Sequence, residues 1–148
     1  DMVGGDYIQR NLSALAVESK AYWGYDEAFM ESCRLELTLS AEDVSGSVTY
    51  VLEDEGALKG FYRLSHDGFT GELNDLFLLP DIIGHKWGRA MWNHMADAAR
   101  QLGIHSITLD ADPFAEGFYL KMGCRRMGMS PSLSFPGRYL PVMGFNLN

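Results

Sequence analysis

The sequence predicts an α/β fold in which a mixed sheet carries helices on its faces. Two β-rich runs joined by a turn signal, followed by a third run behind a second turn, occupy residues 47–79. A long amphipathic helical pattern then leads into the alternating run IHSITLDA at 104–111. A strand, a helix and another strand in that order form a β-α-β unit, whose strands are expected to be parallel and its crossover right-handed. Two further strand-like runs close the chain.

Each element has a local reason. Residues 7–20 place Ile8, Leu12, Leu15, Ala16 and Ser19 at helical spacing, which predicts a first amphipathic helix. The aromatic-rich AYWGY at 21–25 breaks around Gly24, and Asp26 then offers an N-cap for a second helix through Leu37. Phe29, Met30 and Cys33 share one face of that helix. Ser40 and Asp43 have the spacing of a capping-box-like start and predict a short helical turn. SVTYVL (47–52) and ALKGFYRL (57–64) flank EDEG, a hairpin signal, and His66, Asp67 and Gly68 turn the chain into a third strand at 69–79.

The helix after Gly84 runs over 87–102, with Trp87, Met91, Met95, Ala98 and Leu102 on one face and Gly103 as its C′ residue. In the strand 104–111, Ile107 and Leu109 alternate with Ser106, Thr108 and Asp110. Asp112 caps the next helix, with Pro113 at its first position. Residues 124–129 and 139–147 read as closing strands joined by a Pro/Ser/Gly-rich loop at 130–138. The element order is ααβββαβαββ, with no internal repeat.

Composition narrows the function. A length of 148 residues predicts one domain, 1–148, able to bury a core without metal or disulfide help. No run approaches the length of an apolar membrane span and the first residues lack a signal-peptide pattern, so the cytoplasm is the expected compartment and no membrane partner is expected. Cys33 and Cys124 read as reduced, buried thiols, and the four histidines show no metal spacing. A net charge of −8 argues against nucleic acid and is compatible with an amine-bearing acceptor steered by an acidic cleft. Positive charge nonetheless gathers at His85, Lys86, Arg89, Lys121, Arg125 and Arg126, which an anionic cofactor would explain.

Those cations surround two segments. LPDIIGHKWGRAMW (79–92) reads as a strand end, a glycine-bearing loop and a helix start, whose unpaired N–H groups and positive dipole end suit a pyrophosphate. AEGFYLKMGC (115–124) places a tyrosine and a lysine on a short helix that ends at a glycine. Together they point to an enzyme that uses a nucleotide-like cofactor.

The two segments resemble those of GNAT-type N-acetyltransferases. The family's acetyl-CoA loop, Q/R-x-x-G-x-G/A, corresponds to Ile83, Gly84, His85, Lys86, Trp87 and Gly88. Ile83 replaces the usual Gln or Arg and Lys86 the usual middle glycine, whereas Gly88 is kept. The second motif, F-Y-x-K-x-G, is Phe118, Tyr119, Lys121 and Gly123, at the distance the family expects. The resemblance covers residues 71–128.

It implies a mostly antiparallel central sheet flanked by helices, with a β-α-β unit that binds acetyl-CoA as cosubstrate. The implied activity is direct acetyl transfer to a primary amine of a small molecule or peptide, without metal, by a monomer or homodimer. Loop residues 83–88 would hold the pyrophosphate through backbone N–H groups, beside the charges of Lys86, Arg89 and Lys121. Backbone groups of Phe77, Leu78 and Leu79 would meet the acetyl carbonyl and pantetheine amides, where the family splays two strands apart. Asp112 stands where an asparagine often contacts the pantetheine arm, and is equally a helix cap. Tyr119 is implied as general acid toward the CoA thiolate, the competing reading being a half-buried tyrosine that anchors its helix. Phe118, beside it, reads as core. Tyr22, Trp23, Tyr25 and Arg138 would flank the acceptor.

The base has two candidates, Glu72 and Asp75, on the strand before the loop. In strict alternation they point to opposite faces, so only one reaches the cleft unless the strand is bulged. A non-catalytic acyl-CoA-binding or sensing module is the alternative that the substitutions at Ile83 and Lys86 keep open. A nucleotide-binding protein of another α/β class would be expected to show G-x-x-x-x-G-K-[ST] or G-x-G-x-x-G, and neither is present.

Overall fold

The computed structural model describes residues 5–37, 47–82, 86–132 and 136–147, without the side chains of 5–11, 32–36 and 54. The expected turn at Ser40 and Asp43 and the side chain of Cys33 therefore lie outside the described residues. In chain order the elements are α1 (Gly5–Ala21), α2 (Glu27–Leu37), β1 (Val48–Asp54), β2 (Ala57–Asp67), β3 (Thr70–Leu78), α3 (Trp87–Gln101), β4 (Ser106–Asp110), α4 (Glu116–Lys121), β5 (Arg125–Pro131) and β6 (Tyr139–Asn146). Short 3₁₀ turns at Pro80–Ile82 and Pro113–Ala115 precede α3 and α4.

The strands form one six-stranded sheet in the order β1-β2-β3-β4-β6-β5. Every neighbouring pair is antiparallel except β3 and β4, the parallel pair joined through α3. The mixed, mostly antiparallel sheet flanked by helices is the expected fold. The EDEG signal becomes a two-residue turn with Glu55 at φ 53° and Gly56 at φ 80°. Positive φ at both positions matches the turn to the right-handed twist of its strands. Asp26 caps α2 as expected, its Oδ1 accepting from the Phe29 N–H at 2.7 Å.

Helices cover both faces of the sheet. On one face α1 packs Leu12, Leu15 and Ala16 against Phe61, with Phe77 and Leu79 alongside. On the other, α3 lays Met91, Trp92, Met95, Ala96 and Ala99 over Tyr62, Leu64, Leu73 and Leu78. Leu102 departs from the expected apolar face, since it is the C-cap residue and 42% exposed. The buried stripe follows i, i+1, i+4, i+5 and i+8, and it ends one turn earlier. Gly103 follows at φ 81°, as a C′ residue. The helix expected after Asp112 is divided into the 3₁₀ turn and the six-residue α4.

A β-bulge in β3 decides which side chains share a face. Arg63 pairs with Asp75 but Leu64 pairs with Leu73, so Asn74 is an extra residue in the ladder. Leu73, Leu76 and Leu78 consequently all reach the α3 face despite their uneven spacing. Glu72, Asp75 and Phe77 fall on the α1 face.

Candidate active site

β3 and β4 are paired only at Thr70–Ser106, Gly71–Ile107 and Glu72–Thr108. Beyond Glu72 the strands part, and β4 continues with β6 alone through Leu109 and Asp110. The gap opens into a cleft of about 790 Å³ lined by residues from β3, the start of α3 and the segment after β4. The Leu79 N–H donates to the Lys59 carbonyl at 2.8 Å, which makes that opposite pair a hydrogen-bonded one. In an antiparallel ladder such pairs alternate, so the Phe77 amide groups also face β2, and those of Leu76 and Leu78 face the gap. Of the three backbones expected there, Phe77 and Leu79 are engaged with β2. Leu78 remains, with Leu76 added.

At one end of the cleft lies the start of α3. Ile83, Gly84 and His85 lie outside the described residues, and Lys86 is the N-cap residue. Lys86 has φ 68° and ψ −1°, a left-handed conformation, and its side chain makes no capping hydrogen bond. The first N–H groups of the helix therefore donate no hydrogen bond to the cap residue's side chain, and Lys86, Gly88 and Arg89 line the cleft beside them. Gly88 sits against Phe118, where a Cβ would come 2.9 Å from the ring. Phe118 is half-buried and packs on the main core while lining the cleft. Lys121 lines the cleft and Trp87 packs on the core. Arg126, by contrast, is bound at the surface by Glu116 at 2.6 Å through two nitrogens.

The other end is built from side chains. The Lys20 ammonium at the end of α1 is 2.7 Å from Asp112 Oδ2. The Tyr25 hydroxyl lies 2.9 and 3.0 Å from the two Asp112 oxygens and accepts a 2.8 Å hydrogen bond from Arg138 Nη2. Asp112 Oδ1 also accepts the Phe114 N–H at 2.9 Å, the expected capping bond. Burial pushes the Asp112 carboxyl up, yet the Lys20 hydrogen bond and charge, with the Phe114 N–H, outweigh it and hold it below the usual carboxylate range. Burial and the neighbouring Asp112 push the Tyr25 phenol well up, so it stays neutral. Trp23 stacks on Phe114 at a 5.7 Å centroid distance, whereas Tyr22 is half exposed.

Between the two ends sit the candidate proton-transfer groups. Tyr119 is buried on α4, edge-on to Trp92 at 5.9 Å and to Phe118 at 5.2 Å. Burial is the main reason its phenol is pushed well up, with Cys124, Asp112 and Asp75 adding to it. The Cys124 thiol is likewise buried and pushed up to about 11. Glu72 is exposed and Asp75 half-buried, and the bulge at Asn74 brings both to the cleft. Asp75 is ion-paired with Arg63, directly opposite on β2.

Besides Leu76, Lys20 and Arg63 are site residues that sequence reasoning did not single out. Lys20 looks like an ordinary cation in the last turn of a helix, and its partner is 92 residues away. Among the described residues that line the cleft, six Lys and Arg side chains stand against four carboxylates, the reverse of the acidic balance of the chain. Among the described residues, no group of His, Cys, Asp and Glu could hold a metal ion, and no helix is long and apolar enough to cross a membrane.

The family model described as "Acetyltransferase (GNAT) family" matches residues 14–124. Over 91 residues the chain is 29% identical to the "Uncharacterized N-acetyltransferase ycf52" of Pyropia yezoensis, covering 61% of this chain and 52% of that protein. It thus spans about half the length of the curated relatives it matches. The PaiA N-acetyltransferase of Thermoplasma acidophilum, solved in complex with coenzyme A, superposes with a TM-score of 0.76 at 19% identity, covering 99% of this chain and 96% of that one. A GCN5-related N-acetyltransferase from Rhodopseudomonas palustris gives 0.77 at 20% identity, covering 95% and 90%. At these identities the structural likeness is one of fold.

Proposed function

The chain belongs to the acetyltransferase (GNAT) family, and we propose that it transfers the acetyl group of acetyl-CoA directly to a primary amine of a small molecule or peptide in the cytoplasm. The carrying observation is the parting of β3 and β4 beside an uncapped 15-residue helix. The gap would take the pantetheine arm. The first N–H groups of α3 would take the pyrophosphate, with Lys86, Arg89 and Lys121 adding charge. The neighbour solved with coenzyme A has the same fold, which supports an acyl-CoA cosubstrate here.

In this reading the acetyl carbonyl faces the amide groups of Leu76 and Leu78, which point away from β2 and would stabilise the oxyanion. The amine nitrogen attacks the thioester carbon and forms the C–N bond. Its proton passes to Glu72, which of the two candidate carboxylates on β3 is the one with no guanidinium bound to it among the described residues. Asp75 is held by Arg63, so an incoming amine would compete with an ion pair there. The C–S bond then breaks, and the thiolate takes a proton from Tyr119. Because its phenol is pushed well up, Tyr119 still carries that proton through the neutral range.

Calorimetry tests the cosubstrate. Micromolar acetyl-CoA binding is expected for the unmutated protein, and none for Gly88→Glu, which sets bulk against Phe118 and negative charge against the phosphates. A folded wild-type protein that ignores acetyl-CoA at millimolar concentration overturns the reading.

A further inference from the structure

Among the described residues, the polar cluster at the α1 end of the cleft holds two cationic side chains against one carboxylate. Lys20 and Arg138 share one carboxylate, Asp112, at 2.7 and 3.6 Å from the same oxygen. The three side chains are only 13%, 17% and 15% exposed. Tyr25 adds no second negative charge, since its phenol stays neutral. Part-buried charges are costly unless paired.

Arg138 is also left with donors to spare. Its guanidinium makes one hydrogen bond among the described residues, to the Tyr25 hydroxyl, and rests over the Phe29 and Tyr25 rings at 4.8 and 5.4 Å. Its other N–H groups have no hydrogen-bond partner among the described residues, the nearer Asp112 oxygen standing 3.6 Å from Nη2. The cluster is distinct from the cations placed toward the phosphates. Lys20 extends from α1, on the sheet face opposite α3, and both it and Arg138 line the cleft.

We propose that this cluster is an anion subsite, and that the acceptor is an amine that also carries a carboxylate, bound by Arg138 with Lys20 beside it. The inference rests on the acceptor reading above. A planar fork with free donors matches a carboxylate in two-point contact, and the surplus charge supplies the attraction. The stacked Trp23 and Phe114 give the same acceptor an apolar wall. The amine would then face the gap between β3 and β4, where the thioester lies in the proposed reaction.

The test compares amino acids with their amides, phenylalanine among them, in a thiol-release assay with acetyl-CoA. Wild-type kcat/KM should favour the acids by about tenfold to a hundredfold, the range of a charge-assisted contact. Arg138→Gln should bring the ratio near one, and Arg138→Lys should keep part of it. Equal turnover of acids and amides by the wild type overturns the proposal, as does an unchanged ratio in Arg138→Gln. Preference for an aminophosphonate over the matching acid overturns the assignment to a carboxylate. Calorimetry on the coenzyme A-saturated wild type, with N-acetylphenylalanine against its amide, reads the subsite without turnover or a variant. Tighter binding of the acid supports it, and equal binding or none overturns it. Acid-selective binding with no amine ever acetylated would sink the transferase reading while leaving the anion subsite standing.

Discussion

At the α3 end of the cleft the lining groups are backbone amides and exposed cations, while at the α1 end they are part-buried side chains bonded to one another. The difference lies in what each end depends on. A helix start presents N–H groups whatever its side chains are, so the proposed phosphate site would not depend on the family's usual residues at positions 83 and 86. The α1 end has no such tolerance. Lys20, Tyr25, Asp112 and Arg138 come from three separate parts of the chain, residues 20–25, 112 and 138, and each is held by the others.

The largest expected effect lies between the two ends. Tyr119→Phe keeps the ring contacts with Trp92 and Phe118 and removes only the hydroxyl. With an acceptor in hand, kcat should fall by ~10²–10⁴-fold while acetyl-CoA affinity is unchanged, the signature of a proton-transfer role. Glu72→Gln should remove the acidic limb of the kcat/KM profile. An unchanged kcat in Tyr119→Phe would return the residue to the core, where its burial already places it. Loss of the limb in Asp75→Asn instead would move the base across the bulge.

That bulge shows where sequence reading ends. The β-α-β unit, the EDEG hairpin and the caps at Asp26 and Asp112 are set by local chemistry, and they are found where the sequence places them. Whether Glu72 and Asp75 share a face depends on one unpaired residue, Asn74, which nothing in its immediate neighbours marks. The spacing of Leu73, Leu76 and Leu78 carries the trace, since three residues then two fits neither strict alternation nor a helix. The α1-end cluster is harder still. Lys20 and Asp112 are joined only by tertiary packing, and no window along the chain contains both.

Asp112→Asn separates the charge of the α1 end from its shape, because asparagine caps a helix as well as aspartate does. The loss leaves Lys20 and Arg138 without a shared carboxylate, and should reduce stability at neutral pH by on the order of 1–3 kcal/mol. The pH dependence fixes the cause. A carboxyl held below its unfolded value stabilises the fold above that value, near ~4, and loses the contribution as pH falls through the lower folded one. The gap in Tm between wild type and Asp112→Asn should therefore narrow in acid, below about pH 4. A gap that stays constant from neutral pH into that range would mean the cluster acts by packing.

The smallest effect belongs to the α3 end, and it tests whether that end is indifferent to side chains. Lys86 and Glu55 are the described non-glycine residues at positive φ, 68° and 53°. Left-handed backbone disfavours a Cβ by about 1 kcal/mol, partly offset by the extra freedom glycine gives the unfolded chain. Lys86→Gly and Glu55→Gly should each raise Tm by roughly 1–3 °C in a chain of this size. Their effects on acetyl-CoA should differ. Glu55 lies in the β1–β2 turn, outside the cleft lining, so its replacement should leave affinity alone. Lys86 lines the cleft, and its removal should weaken affinity several-fold at low salt and hardly at all at high salt, where an exposed charge is screened. Unchanged affinity at low salt would mean the backbone alone holds the phosphates. A loss as large as that expected for Gly88→Glu would mean the lysine, strained as it is, has taken over the role the backbone was assigned.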